Sequence, residues 1–184
     1  MRTILVCFLF LFLVSCAEPI RNYFADSYFE QDRIYRNKAL GFTLNYIGVW
    51  DIHTDANEMD ADTRELARSL HTMAAELLFV GSTVEGSHGT RAIAANMNYD
   101  IQAYADTIRA INKESISADS GFSPFAVGSL AMVKWRYHID AYEFVEFFFK
   151  VQTYNIRLAF WSRPDLFVKF LPVYEDIIRS ISFD

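Results

Sequence analysis

Hydrophobic and polar positions follow two different periods along this chain, and the periods predict a mixture of strands and helices. Apolar residues recur at every second position in segments 42–46 and 50–53, which predicts two paired or bent strands around a turn at Gly48. Segment 62–79 repeats its apolar residues at helical spacing instead, as do segments 100–111 and 166–181. The first half of the chain therefore begins with two strands and a helix.

The remaining segments complete an antiparallel pattern. Segments 78–84 and 91–97 flank the turn 86–89 (Gly-Ser-His-Gly), which predicts a hairpin. Residues 115–124 are rich in Ser, Asp and Gly and predict a loop, and residues 126–161 predict a three-stranded meander. The order of elements predicts an α+β fold, in which an antiparallel β-sheet of about six to seven strands carries helices packed on it.

Two of the predicted helices carry signals at their ends. Asp62 followed by Glu65 fits a capping box at the start of the first helix, and Asp100 is a suitable cap for the second. In the third helix, Pro172 either kinks the helix or occupies its first turn. These signals locate helix starts more sharply than periodicity does.

The first sixteen residues differ in kind from the rest. The basic Arg2 precedes an apolar run over residues 4–14, and the run ends at Ser15 and Cys16. A membrane-spanning helix needs about 20 apolar residues, so this run is too short to span. The segment resembles a bacterial lipoprotein signal peptide, in which a cysteine that follows a small residue is acylated and the preceding residues are removed.

This resemblance implies a domain organisation and a location. Residues 1–15 would be the signal peptide, residues 16–32 a lipidated N-terminus and tether, and residues 33–184 the domain. Lipid attachment at Cys16 would place the protein in the cell envelope, held to a membrane by an effectively permanent anchor. Ala17 after the cysteine favours the outer membrane, facing the periplasm, if the host is Gram-negative. Four aromatic residues within segment 23–29 favour packing of part of the tether on the domain.

Charge and cysteine content exclude several classes of function. The formal net charge of −6 without a Lys/Arg cluster argues against nucleic-acid partners and against electrostatic docking on anionic lipid. Of the two cysteines, Cys7 lies in the predicted signal and Cys16 is the predicted lipid site, so no thiol is left for a disulfide, a zinc cluster or a nucleophile. The sequence predicts no cofactor.

Candidate metal ligands are few. The four histidines are scattered over different elements without the spacing of a metal site. The best cation candidates are four oxygen-bearing side chains ahead of the first helix, Asp55, Asn57, Asp60 and Asp62. They depart from the spacing of a calcium loop, and carboxylates before a helix are also favoured by capping and by the helix dipole. We therefore expect capping at these positions and no metal site.

Catalytic signatures are missing from the sequence. It contains no Gly-x-Ser-x-Gly motif, and the turn 86–89 lacks the length, the lysine and the following helix of a phosphate loop. Glu143 and Glu146 fall on opposite faces of a regular strand, so they make a poor acid/base pair. The sequence predicts that the protein is not an enzyme.

Aromatic residues make up 16% of the chain, and their densest stretch is segment 142–149. Strand alternation cannot turn all of them to one side, so either both faces of the sheet are covered or one face exposes an apolar patch. If a patch is exposed, it is the best candidate for a partner surface. Its predicted members are Phe148, Phe144, Trp135 and Tyr137.

Both ends of the predicted domain resemble a known fold. The residues that carry the likeness are segment 40–46 (Leu-Gly-Phe-Thr-Leu-Asn-Tyr) leading to Val49 and Trp50, and segment 157–161 (Arg-Leu-Ala-Phe-Trp) leading to segment 174–183 (Tyr-Glu-Asp-Ile-Ile-Arg-Ser-Ile-Ser-Phe). They resemble the Mog1/PsbP-like family, which occurs in small bacterial lipoproteins and photosystem accessory proteins. The resemblance implies an α/β/α sandwich and a non-enzymatic role as an adaptor or accessory subunit. Fold alone does not imply function.

Two hypotheses of function follow from the sequence. In the first, the protein is a membrane-anchored envelope lipoprotein that acts as a non-enzymatic binding or adaptor module with an envelope protein partner. It predicts an exposed apolar patch and no buried cluster of ionisable groups. In the second, the protein is a small-ligand carrier or a hydrolase-like enzyme whose site is assembled only in the fold. It predicts a deep pocket with two or more ionisable groups from different strands. The missing catalytic signature favours the first.

Overall fold

The computed structural model describes residues 26–184, which form eleven strands, three α-helices and one short 3₁₀ helix. The strands are β1 (Asp26–Phe29), β2 (Ile34–Asn37), β3 (Phe42–Asn45), β4 (Trp50–His53), β5 (Ala75–Thr83), β6 (His88–Ala95), β7 (Ala118–Val127), β8 (Leu130–Ile139), β9 (Tyr142–Val151), β10 (Tyr154–Ser162) and β11 (Ser182–Phe183). The helices are the 3₁₀ helix (Ala56–Glu58), α1 (Ala61–Thr72), α2 (Ile101–Asn112) and α3 (Pro164–Arg179). None of these helices combines the length and apolarity needed to cross a membrane.

A seven-stranded antiparallel sheet forms the centre of the structure, with strand order β4-β5-β6-β10-β9-β8-β7. A smaller sheet of order β1-β2-β3-β11 packs on one face together with α3, and the core between them includes Phe42, Phe147 and Tyr174. Helices α1 and α2 pack on the opposite face, around Ile93 and Phe148 respectively. The predicted α+β sandwich with an antiparallel sheet is confirmed.

Burial on both faces explains the aromatic density of β9. Phe147 and Phe149 point towards α3 and the smaller sheet, whereas Phe148 points towards α2. A strand covered on both sides can be apolar at almost every position, because neither face meets water. Segment 142–149 is therefore core in two directions.

The predicted partner surface is consequently wrong for three of its four residues. Phe148 and Trp135 are 0% exposed, and Tyr137 is 2% exposed. They lie under α2, which covers them with Tyr104 and its neighbours. Phe144 is half-buried. The pattern of one strand indicates that both faces are apolar, but only the tertiary structure shows that a helix covers the second face.

Part of the segment predicted as a tether forms a strand. Strand β1 lies within the segment 16–32 that was predicted as a tether, and it pairs with β2. The ring of Tyr28 packs edge-on against Tyr46, with 6.1 Å between ring centroids. The predicted signal peptide, Cys16 and the rest of the tether up to residue 25 lie outside the described residues.

Two element boundaries also differ from their predictions. Helix α1 ends at Thr72 and not near residue 79, because Ala74 adopts a positive φ of 54° and the chain turns into β5. A β-bulge between Leu77 and Phe79 breaks the period of two in β5, so the sequence pattern there resembles a helix. Strand β7 occupies most of the predicted loop, and a register shift beside Gly121, with φ of 79°, hides its alternation.

Two positions on β9 test the burial of both faces. Phe148→Ala is expected to lower the free energy of unfolding by about 3–5 kcal/mol, because it opens a cavity in a fully buried site. Tyr142→Ala, at a residue that is 45% exposed on the same strand, is the matched control and should change it by less than about 0.5 kcal/mol. Chemical denaturation followed by circular dichroism measures both. Equal losses would show that α2 does not cover Phe148.

Candidate functional site

A groove separates α1 from α2 on their shared face of the large sheet. The volume of this interhelix groove is about 250 Å³. Its walls are apolar side chains of the two helices, and its floor is formed by β6 and β10. The residues that line it include Leu66, Arg91, Tyr104, Ile108, Ile111 and Arg157. The groove combines apolar walls with two arginines at its floor.

Strand pairing brings the charged residues of the floor together. Arg91 on β6 lies opposite Ala159 on β10, and Ala159 lies opposite Glu146 on β9. Arg157 is two residues from Ala159 and therefore points to the same face. The methyl group of Ala159 fills little space, so the three long charged side chains meet above it.

Glu146 and Arg157 form a buried ion pair. Glu146 is 0% exposed and Arg157 is 8% exposed. The Arg157 guanidinium donates to Oε1 of Glu146 from Nη2 at 2.7 Å and from Nε at 2.8 Å. The hydroxyl of Tyr137 donates to Oε2 of the same carboxylate at 3.4 Å. Burial lowers the pKa of Arg157, but the charge and hydrogen bond of Glu146 together with Tyr137 and Tyr104 outweigh burial, so the pKa lies above its ordinary value.

Arg91 is the second cation of the cluster, and it has no such partner. Its Nε is buried and makes no hydrogen bond, and its side chain forms no ion pair with any described residue. Its guanidinium carbon lies 6.0 Å from the ring centroid of Trp161. Burial, and then repulsion by Arg157, hold the pKa of Arg91 below its ordinary value. The cluster therefore has two guanidinium groups for one carboxylate.

The chemistry of the groove favours binding over catalysis. Among its lining residues within the described chain there is no His, Cys, Asp or Glu. Burial raises the pKa of the Tyr104 phenol to about 12, so this hydroxyl stays protonated at neutral pH. Arginine holds its proton throughout the physiological range and does not act as a base. The groove offers mostly apolar surface with hydrogen-bond donors, and the hydroxyl of Thr107 in its lining donates to the backbone carbonyl of Ala103, with no base among the described lining residues to activate it.

The predicted cation candidates are occupied in capping. Asp55 accepts hydrogen bonds from the backbone N–H and the side-chain Nδ2 of Asn57, at 2.8 and 3.0 Å. Asp60 caps α1 by accepting from the backbone N–H of Thr63 at 3.0 Å, and it also accepts from the Thr63 hydroxyl at 2.7 Å. The hydroxyl bond and then the backbone bond lower the pKa of Asp60. The N-cap is thus Asp60, two residues before the predicted Asp62, and the predicted capping box of Asp62 and Glu65 is wrong. Residues 26–184 contain no group of three or more His, Cys, Asp or Glu side chains suited to a metal ion.

Two members of the predicted partner surface, Tyr137 and Phe144, lie beside the charged cluster. Phe144 stacks on Tyr137 and on Trp161, with ring centroids 5.1 and 5.6 Å apart. Tyr137 contacts Glu146, and Trp161 contacts Arg91. These aromatic rings therefore pack around the charged cluster and do not form a surface.

Arg91 and Arg157 are not among the site residues that the sequence predicts, and Glu146 is weighed there only as an acid/base partner of Glu143. A signal for these residues was present. Arg157 and Glu146 interrupt segments that are otherwise apolar on both faces, and a charge at such a position needs a partner from a neighbouring strand. The identity of that partner depends on strand register.

A second polar pair lies on the opposite face of the sheet. Nδ1 of His88 on β6 and the hydroxyl of Tyr174 on α3 are 2.5 Å apart. Burial lowers the pKa of His88 and raises the pKa of Tyr174 to about 12, so both groups are neutral and the phenol donates a hydrogen bond to the imidazole. The bond links α3 to the large sheet, which is a structural role.

The layers and strand order described above define a PsbP-like α+β sandwich. The solution structure of cyanobacterial PsbP (CyanoP) from Synechocystis sp. PCC 6803 is similar, with a TM-score of 0.58 over 82% of this chain and 91% of that chain. The sequence identity is 7%, so the similarity shows the fold alone. A crystal structure from Bacteroides thetaiotaomicron is 12% identical over 78% of this chain and 45% of that chain, with a TM-score of 0.42, too low to carry an argument. No protein-family model and no curated protein matches the sequence.

Two arginine substitutions should have opposite effects on stability. Arg157→Met leaves Glu146 as a buried charge without its counterion, and should lower the free energy of unfolding by about 3–5 kcal/mol. Arg91→Met removes a cation that has no counterion, and should leave this free energy unchanged or raise it by about 1 kcal/mol. Urea denaturation of the two variants and the parent measures both effects. A large loss of stability in Arg91→Met would show that Arg91 is structural.

Proposed function

We propose that this protein is a lipid-anchored component of the cell envelope that binds a small molecule in the interhelix groove without transforming it. The observation that carries the proposal is Arg91, a half-buried cation at the floor of a largely apolar groove, whose buried Nε makes no hydrogen bond and whose side chain forms no ion pair with a described residue. A protein normally pairs its buried charges, because an unpaired one destabilises the fold. A role in binding an anion explains why a cation lies at this position.

The anchor is supported by the sequence at the N-terminus. An apolar run precedes Cys16, which fits acylation at that cysteine. Nine residues, 17–25, separate Cys16 from β1, and they span at most about 30 Å when fully extended. An anchor at Cys16 would therefore hold the domain close to a membrane. Ala17 favours the outer membrane, on its periplasmic side, in a Gram-negative host.

The two hypotheses from the sequence made opposite predictions about buried ionisable groups. The adaptor hypothesis expected none and an exposed aromatic patch, whereas the small-ligand hypothesis expected ionisable groups from different strands around a pocket. Arg91, Glu146 and Arg157 come from three strands and meet beside the groove. The missing nucleophile and acid/base pair favour a carrier or sensor of a ligand over a hydrolase.

Docking on an envelope protein is a second candidate function. Three exposed apolar side chains favour it, because they lie close together on two neighbouring loops at one end of the sandwich. They are Ile47, Val49 and Val84. This surface lies outside the interhelix groove, so the two functions are compatible.

Metabolic labelling tests the anchor. The full-length chain, expressed in a bacterium that processes lipoproteins, should incorporate labelled palmitate and sediment with membranes. Cys16→Ser should lose the label completely, because no acceptor thiol follows the signal. Cys7→Ser is the matched control and should keep it, since Cys7 lies inside the apolar run. Label retained in Cys16→Ser would overturn the proposed anchor.

Recovery of the bound molecule tests the groove. Full-length protein purified from envelopes in a non-denaturing detergent should release a near-equimolar small molecule when it is denatured in methanol, as mass spectrometry would measure. Arg91→Met should release at least tenfold less, and Arg68→Gln, at an exposed arginine of α1, should match the parent. Equal release from the parent and Arg91→Met would show that the groove is not the site.

A further inference from the structure

We infer that the ligand of the interhelix groove is a small amphipathic monoanion, a carboxylate on a short apolar chain, with its carboxylate at Arg91. This inference rests on the proposed function and names the ligand class. Three independent properties of the groove lead to it: the charge of its floor, the apolarity of its walls and rim, and its volume.

The charge of the floor selects one negative charge. Oε1 of Glu146 accepts from both Nη2 and Nε of Arg157, so that guanidinium is matched by its own carboxylate. Arg91 contributes one further positive charge, and its buried Nε has a free hydrogen-bond donor. A monoanion balances the cluster, whereas a dianion would leave an excess of negative charge inside the protein.

The planar shape of a carboxylate suits this donor. A guanidinium presents its N–H groups in one plane as a fork, and a carboxylate can accept two of them side by side. A neutral alcohol could accept hydrogen bonds on its single oxygen but would leave the cation uncompensated. An ammonium group would be repelled by Arg91 and Arg157. The floor therefore discriminates between headgroups by charge.

The walls and rim select an apolar chain. Leu66 on α1 and Ile108 on α2 both line the groove, and the polar lining residues of the two helices are Thr107 and Asn112. At the rim, Met73 is 48% exposed and Ile111 is 69% exposed, which is unusual for large apolar side chains that sit so close together. A bound hydrocarbon chain would cover them and remove apolar surface from water. The carboxylate would lie at the floor and the chain would point towards the rim.

The volume limits the length of the chain. At ~30 Å³ for each water molecule, a groove of 250 Å³ corresponds to about eight waters, which is roughly eight to ten non-hydrogen atoms of a ligand. Octanoate is a probe of that size. Butanoate carries the same headgroup with too short a chain to reach the rim, and octan-1-ol and octylammonium carry the same chain with a neutral or cationic headgroup.

Equilibrium dialysis with radiolabelled probes tests the inference on the full-length protein in lipid nanodiscs. Empty nanodiscs give the partitioning of each probe into lipid, which is subtracted. Octanoate should bind saturably with one molecule per chain. Octan-1-ol, octylammonium and butanoate should each bind at least tenfold more weakly, because each lacks either the charge or the chain.

Variants link this selectivity to the groove. Arg91→Met should weaken octanoate binding at least tenfold and leave octan-1-ol binding unchanged, because only the charged contact is lost. Arg68→Gln should bind octanoate like the parent. Ile111→Ser should weaken octanoate binding while the preference for octanoate over octylammonium persists. Near-UV circular dichroism of each variant verifies that the fold is intact.

Specific outcomes would overturn the inference. Equal affinity for octanoate and octan-1-ol, unchanged octanoate binding in Arg91→Met, or no saturable binding of any probe would each exclude a carboxylate ligand of this class. Failure here is distinguishable from failure of the proposed function. A different molecule recovered from the parent but not from Arg91→Met would preserve the binding function and reject only the ligand class.

Discussion

Burial of the seven-stranded sheet on both faces is the constraint on which the rest of this structure depends. Every strand in its middle contributes alternate residues to two separate cores, one under α3 and the smaller sheet and the other under α1 and α2. Where the covering is complete, as it is over Glu146, a charged side chain cannot reach water on either side. Glu146 must therefore find its counterion on a neighbouring strand, and Arg157 provides it.

The charged cluster is informative because stability alone does not require it. A buried ion pair is often no more stable than apolar residues of similar volume, since desolvation offsets much of the attraction. Arg91 adds a second cation that contributes even less to folding, because it has no anion. Natural proteins commonly sacrifice some stability at binding sites. The Arg91–Glu146–Arg157 cluster fits that pattern, with the matched pair holding the geometry and the unmatched cation available to a ligand.

The sequence predicts the parts of this structure that local patterns determine. Helix α2 follows its periodicity closely, the hairpin of β5 and β6 follows from its turn residues, and the fold class follows from the order of elements. Strand β7 was missed because the bulge beside Gly121 disrupts its alternation. The groove was missed for a different reason. Its arginines lie on β6 and β10, which are far apart in sequence, and the register that aligns Arg91 with Ala159 leaves no local pattern.

The pairing of β6 with β10 also governs how the chain reaches its native state. These two strands are neighbours at the centre of the sheet, yet β6 belongs to the first half of the described chain and β10 to the last third. The largest core cluster contains residues from both the first half and the last third of the described chain. Strand β11 adds a further long-range contact by pairing with β3. Contacts so distant in sequence slow folding, because a long loop must close before they form. The chain therefore completes its central sheet only after residue 162 is available, which makes this pairing a late step of folding.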